Sequence, residues 1–120
     1  MCKERDTHAE PGGMEGDDFE LIPFQLITAA GIARSMAFEA LKAAREGNFE
    51  LADEFMKKSN EAGIEAHDQQ TKILAREAAG DHTDVNVLMV HAQDHLMTAM
   101  LAQELIAEDV RLYKRMAGVE

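Results

Sequence analysis

Between residues 24 and 116 the apolar positions recur every three or four residues, with almost no strict alternation. That is the period of a helix rather than of a strand. Leu26, Ile27, Ala30, Ala33, Ala37, Leu41 and Ala44 form one such series, and predict a first helix from about Phe19–Pro23 to about Glu46. Pro23 is compatible only with the first turn, where its missing N–H has no intrahelical partner to lose. Gly47 stops this helix and Asn48 supplies a cap for the next. The second series places Leu51, Phe55, Ile64, Ile73 and Leu74 on the buried side of a helix over about 49–79, which ends at Gly80. After a short loop, with Thr83 or Asp84 as cap, a third helix is predicted from about Val85 to Met116. Three long helices joined by short connections are antiparallel neighbours. The expected fold class is therefore all-α, an antiparallel up-down-up three-helix bundle.

The third helix carries more apolar surface than such a bundle uses. One stripe is Leu88, Ala92, His95, Ala99, Ala102, Ile106, Val110 and Tyr113. A second is Val90, Asp94, Met97, Leu101, Leu105 and Leu112, which begins with the 4–3–4 spacing of a coiled-coil seam. A lone hairpin of three helices buries one stripe of each helix. The second stripe thus predicts a homo-oligomer, with Asp94 inside its seam. A carboxylate buried there is costly unless it is paired or shares a cation with its symmetry copies. A lysine partner, or a polar residue that sets register, is the alternative.

Composition refines this picture at three points. Aromatic residues make up 5% of the chain and Trp is absent, so the core must be aliphatic and rich in alanine. The formal charge of −11 argues against nucleic acid or an anionic membrane surface as partner. No apolar run is long enough for a bilayer, and the single cysteine, Cys2, has no partner for an internal disulfide. The expectation is a cytoplasmic protein that is not membrane-embedded. Residues 1–18 hold Pro, Gly and many charges without apolar period, and are expected to be a flexible polar tail ahead of one domain over 19–120.

The chemistry gathers in "VHAQDHLMTAM", residues 90–100, where His91, Asp94 and His95 sit in an otherwise apolar run. His91 and His95 are one helical turn apart. Three readings of that pair compete on spacing alone. They are core histidines with hydrogen-bond partners; or ligands of a transition metal, with Asp94, His67 or His82 recruited; or His91 is a nucleophile that holds a phosphoryl group while His95 supports it. Residue spacing ranks them in that order. The zincin pattern fails, because Ala92 follows His91 where a glutamate would be needed. No glycine-rich phosphate loop is present, so no nucleotide is expected.

Three stretches change that ranking. "GIARSMAFEALKAAREGNF" (31–49), "EAHDQQTKILAREAAGD" (65–81) and "VHAQDHLMTAMLAQELI" (90–106) resemble, in order, the lactose/cellobiose (chitobiose)-type enzyme IIA family of the bacterial sugar phosphotransferase system. The resemblance covers about residues 20–116. It implies a cytoplasmic homotrimer of three-helix protomers, a nine-helix arrangement. It also implies a phosphocarrier that takes a phosphoryl group from phospho-HPr and passes it to a cysteine of its IIB partner for sugar uptake through IIC. His91 is then the phosphorylated nucleophile and His95 its supporting residue. Asp94 is implied to bind a divalent cation, Mg2+, shared across the trimer axis. Gln93 is a weaker candidate beside the site, and His67 and Gln70 are possible contributors from the second helix. The polar leader and Pro23 depart from the expected opening of the first helix. The wording "HAQDHLMT" leans toward cellobiose or chitobiose members, but leaves the sugar open. The rival is a non-catalytic helical metal-binding or scaffold protein in which His91 and His95 are ligands.

Overall fold

A computed structural model describes residues 19–119 of the chain. The expected tail over residues 1–18 lies outside the described residues. Three helices follow in order: α1 (Ile22–Arg45), α2 (Phe49–Ala78) and α3 (Val87–Met116). Among the described residues there is no strand.

Local signals account for where each helix starts and stops. Pro23 falls in the first turn of α1. At its other end Gly47, with φ +84°, lets the Asn48 amide bond back to the Ala43 carbonyl at 2.9 Å, closing the helix. Gly80, with φ +91°, does the same for α2, the Asp81 amide reaching the Arg76 carbonyl at 2.9 Å. Asn48 caps α2, its side-chain oxygen accepting from the Leu51 amide at 3.2 Å. The cap of α3 differs from the sequence expectation. It is Asn86, which accepts from the Met89 amide at 2.8 Å, rather than Thr83 or Asp84. Thr83 is instead held from behind: its amide donates to Glu77 Oε1 at 3.2 Å, which carries the chain past it before the helix begins.

The core is built on small residues. Ala29, Ala30, Ala33, Ala37, Ala40, Ala43 and Ala44 of α1 are all buried, so both other helices approach α1 closely along its length. α2 and α3 touch one another over a shorter stretch. This corrects the expectation for α2. Of its predicted core residues only Ile73 is buried; Phe55 is half-buried, and Leu51, Ile64 and Leu74 are exposed. The residues that α2 buries are Ala52, Ser59, Ala66, Gln69 and Ile73. Close approach to an alanine ridge leaves room for small side chains at the contact line, and the large apolar ones are turned outward.

The fit of α3 is nearer the expectation. Ala92, Ala99, Ile106 and Val110 of the first stripe are buried, joined by Leu96, which that stripe omits. Leu88, His95, Ala102 and Tyr113 are half-buried. Every large apolar residue of the second stripe is exposed: Val90, Met97, Leu101, Leu105 and Leu112 are each between 48% and 57% accessible. At about 100° per residue this line lies opposite the buried one.

A single polar knot joins the three helices at mid-height. The Ser59 hydroxyl, fully buried, donates to the Ala33 carbonyl at 2.6 Å. Gln103 Nε2 donates to both the carbonyl and the hydroxyl of Ser59, each at 2.9 Å. Gly63 leaves the space for that amide, since a Cβ there would come within 2.9 Å of Gln103 Nε2. An interior Gly→Ala change in a helix ordinarily gains up to about 1 kcal/mol. In Gly63→Ala that gain should vanish, because the displaced Gln103 loses bonds worth about 1 kcal/mol. In a Gln103→Ala background Gly63→Ala should be stabilising again. Urea unfolding of the four proteins in this cycle measures the coupling.

Candidate functional site

His91, Asp94 and His95 occupy the second and third turns of α3. Ala92 and Leu96, both buried, fix the rotation of this part of the helix against α1 and α2. That rotation puts His91 at the surface and leaves His95 half-buried. Their rings meet edge to face, with centroids 4.6 Å apart and planes at 85°. The i,i+4 spacing therefore yields the contact that the sequence predicts. Among the described residues neither ring has a protein hydrogen-bond partner. The reading of two satisfied core histidines is thus not what the structure shows.

Asp94 sits in the exposed apolar line, between Val90 and Met97. Its backbone carbonyl accepts from the Thr98 hydroxyl at 2.8 Å, and its carboxylate is exposed. No lysine partner for Asp94 is found among the described residues.

Other residues expected nearby are not brought together within the chain. Two positions along a helix turn it by about 200°, so Gln93 faces away from His91. The sector of α3 that holds His91 and His95 returns five turns later at Asp109 and Tyr113, which line a groove with Leu41 and Arg45 of α1. His91 is thus on the α1 flank of the helix. Gln93 is on the α2 flank, with Nε2 3.5 Å from Met89 Sδ, and shares a cleft of about 170 Å³ with Gln70 and Leu74 of α2 and with Thr83. In that cleft Gln70 Oε1 and Thr83 Oγ1 are buried without a hydrogen-bond partner. No sequence signal marks the Thr83 hydroxyl as unpartnered, because the residue reads equally well as a helix cap. His67 is exposed on α2.

His82 lies in the α2–α3 loop, against Glu77. The loop is tied on both sides, since Arg76 also pairs with Asp81 while its guanidinium stacks over Phe19, 3.8 Å from the ring centroid. Within one chain these placements do not bring His67 or His82 into a metal-holding group with His91 and His95. Among the described residues no group of three or more His, Cys, Asp or Glu side chains is arranged to hold an ion within one chain. Asp94 offers a single carboxylate, and fits a cation only if further copies of the chain bring theirs to the same point.

The Thr83 amide, then His82, hold the Glu77 carboxyl below its usual range. A carboxyl with a depressed folded pKa stabilises at pH above its unfolded value, and that contribution is lost as pH falls through the folded one. The loop that leads into α3 should therefore loosen in acid. Hydrogen exchange of the Thr83 amide, corrected for intrinsic rate, should lose protection as pH falls below the ordinary glutamate range. In Glu77→Gln the protection should be weaker at neutral pH and flat across that window.

Comparison with known proteins places this arrangement in a family. Residues 21–114 match the family described as the lactose/cellobiose-specific IIA subunit of the PTS system. The lactose-specific EIIA component of Lactococcus lactis subsp. lactis is 43% identical over 102 residues, covering 85% of this chain and 97% of that protein. The crystal structure of the cellobiose-specific enzyme IIA from Bacillus anthracis superposes with a TM-score of 0.81 at 47% identity, covering 88% of this chain and 95% of that one. The IIA(chitobiose) of Escherichia coli, solved in complex with HPr, gives 0.71 at 40% identity over 91% of this chain and 99% of that one. In none of the described helices is there a stretch long and apolar enough to cross a membrane. With the match spanning all three helices and the histidine-bearing turns of α3, the chain belongs to the lactose/cellobiose-specific IIA family of the phosphotransferase system.

Proposed function

We propose that the chain is a cytoplasmic phosphocarrier in which His91 accepts a phosphoryl group from phospho-HPr and hands it to a cysteine of a IIB partner, energising sugar uptake through IIC. The observation that carries this reading is the exposed His91 ring, with the His95 ring against its edge, on a rigid helix. Two protein partners must each bring a reacting group to one nitrogen in turn, so the acceptor has to stand at the surface. In the first transfer the bond from phosphorus to the donor breaks as the bond to a His91 ring nitrogen forms. In the second the IIB thiolate attacks and His91 leaves as neutral imidazole. A carrier gains nothing from strong clamping of the group, which would slow its release. The half-buried His95 limits the rotation of the His91 ring.

The exposed line from Val90 to Leu112 supports a homotrimer assembled through α3, nine helices in all. Three parallel copies would bring three Asp94 carboxylates to the axis, where a divalent cation, Mg2+, would be held by oxygen ligands alone. Bound there, the cation would supply neutralising charge near the incoming phosphoryl group, which adds almost two negative charges.

Intact-mass analysis after incubation with phosphoenolpyruvate, enzyme I and HPr tests the carrier. The wild type should gain one acid-labile phosphate, about 80 Da, and His91→Ala none. A wild type that gains nothing while a known IIA is phosphorylated beside it would refute the reading. Asp94→Leu continues the apolar line and should stabilise the oligomer by about 2 kcal/mol per chain in the presence of chelator. Thermal unfolding with and without chelator should shift for wild type and not for Asp94→Leu; an equal shift for both would remove Asp94 as the ligand.

A further inference from the structure

Gln70 Oε1 and Thr83 Oγ1 are buried in the cleft between α2 and α3, and neither has a hydrogen-bond partner. Leaving a buried polar atom unpaired costs more than a typical bond contributes, and folded chains keep few such atoms. Neither atom offers surface to solvent, so a group arriving from outside cannot pair it where it stands. The partner has to come from within the chain. The amide oxygen can only accept and the hydroxyl can donate, so each atom supplies what the other lacks.

The same cleft is under-filled and poorly covered. Its space of about 170 Å³ lies between Ile73 and Leu74 of α2 and Met89 and Gln93 of α3, with Val85 of the loop at its edge. Val85 is 83% accessible and Leu74 56%, although both line it. The loop is tied down only in its first half. The Arg76–Asp81 pair, the Glu77–His82 pair and the bond from the Thr83 amide to Glu77 hold residues 81–83 against the end of α2. The next anchor is the Asn86 cap. Asp84 and Val85, between these anchors, make no hydrogen bond among the described residues. Each contributes two soft backbone dihedrals.

We propose that residues 83–86 are a strap with a second, closed position, in which the Thr83 hydroxyl donates to Gln70 Oε1 and Val85 folds over Leu74 to cover the cleft. The Thr83 amide stays on Glu77 while its side chain turns inward. Closure pairs both orphaned atoms and removes apolar surface of Val85 and Leu74 from water. Fixing Asp84 and Val85 costs conformational entropy of a similar order, which keeps the open and closed positions close in free energy. Met89 and Gln93 form the far wall of the cleft and stand on either side of His91 in the sequence. The strap therefore acts on the turns of α3 that carry the histidines, giving them two settings. This inference depends neither on an oligomer nor on phosphoryl transfer.

Two measurements on the full chain test this. The first is a double-mutant cycle of Thr83→Val and Gln70→Leu, each close in shape to the native side chain, followed by urea unfolding. Either change alone should raise the unfolding constant about fivefold, and the second on top of the first should add almost nothing. If the two atoms stay orphaned, removing them leaves stability unchanged or raised, and the proposal falls. The second is methyl NMR. Val85 and Leu74 methyls should be in contact in the wild type and separate in Thr83→Val, with the His91 ring signals shifting between the two proteins. Coupling in the cycle without a Val85–Leu74 contact would mean that an enclosed water bridges the two atoms and the strap does not close, which also overturns the proposal. Unmoved His91 signals would remove the link to the histidine turns. The methyl contact is read on the wild type alone, so it decides the question even if a variant fails to fold.

Discussion

α3 is apolar on two opposite sides, and a three-helix chain can cover only one of them. The rest of the structure follows from how that surplus is resolved. Ala92, Leu96, Ala99, Ile106 and Val110 turn inward against α1 and α2, which leaves Val90, Met97, Leu101, Leu105 and Leu112 at the surface of the single chain. Five large half-exposed side chains in one straight line are expensive in water, at about 25 cal/mol per Å² of apolar surface. A helix with apolar surface all round is one that is buried all round. In the assembly proposed above, the covering element is a second copy with the same line.

The position of the chemistry follows from the same rotation. With the inner and outer lines fixed, His91 and His95 have only the α1 flank to occupy, and Gln93 only the α2 flank. His91 is exposed enough to meet a partner protein, yet its ring orientation is restricted by His95 at 4.6 Å. Asp94 is the one charge in the outer line, and its cost depends on what the seam brings to it. The two proposals are therefore coupled: the surface proposed to drive assembly would also set which groups surround the proposed phosphoryl acceptor.

Much of this was legible in the residues. Pro23, Gly47, Asn48 and Gly80 marked the helix ends, because each acts through local backbone geometry that tertiary packing rarely overrides. The two lines of α3 and the meeting of His91 with His95 followed from helical period alone. The buried face of α2 did not. Leu51, Ile64 and Leu74 are the strongest apolar signals in that segment, but the alanine ridge of α1 brings the helices too close for them, and Ala52, Ser59 and Ala66 take the contact instead. The α3 cap was misplaced because Thr83, Asp84 and Asn86 are equally good caps in isolation, and a contact from Glu77, six residues earlier, selects among them. Gln93 looked close to His91 along the sequence, yet a two-residue step on a helix is about half a turn away, and Gln70, a possible contributor from the second helix, lines the cleft on the Gln93 flank. The family resemblance, not the spacing, raised the phosphocarrier reading above the others.

The claim on which everything else depends is that the outer line of α3 is a subunit seam. Sedimentation equilibrium of the wild-type protein beside Leu101→Glu tests it most directly. The account predicts a wild-type mass of three times the 13.3 kDa chain, and a Leu101→Glu protein that falls to the monomer with its helix content largely kept. A wild-type protein that sediments as a stable, soluble monomer at micromolar concentration would contradict it.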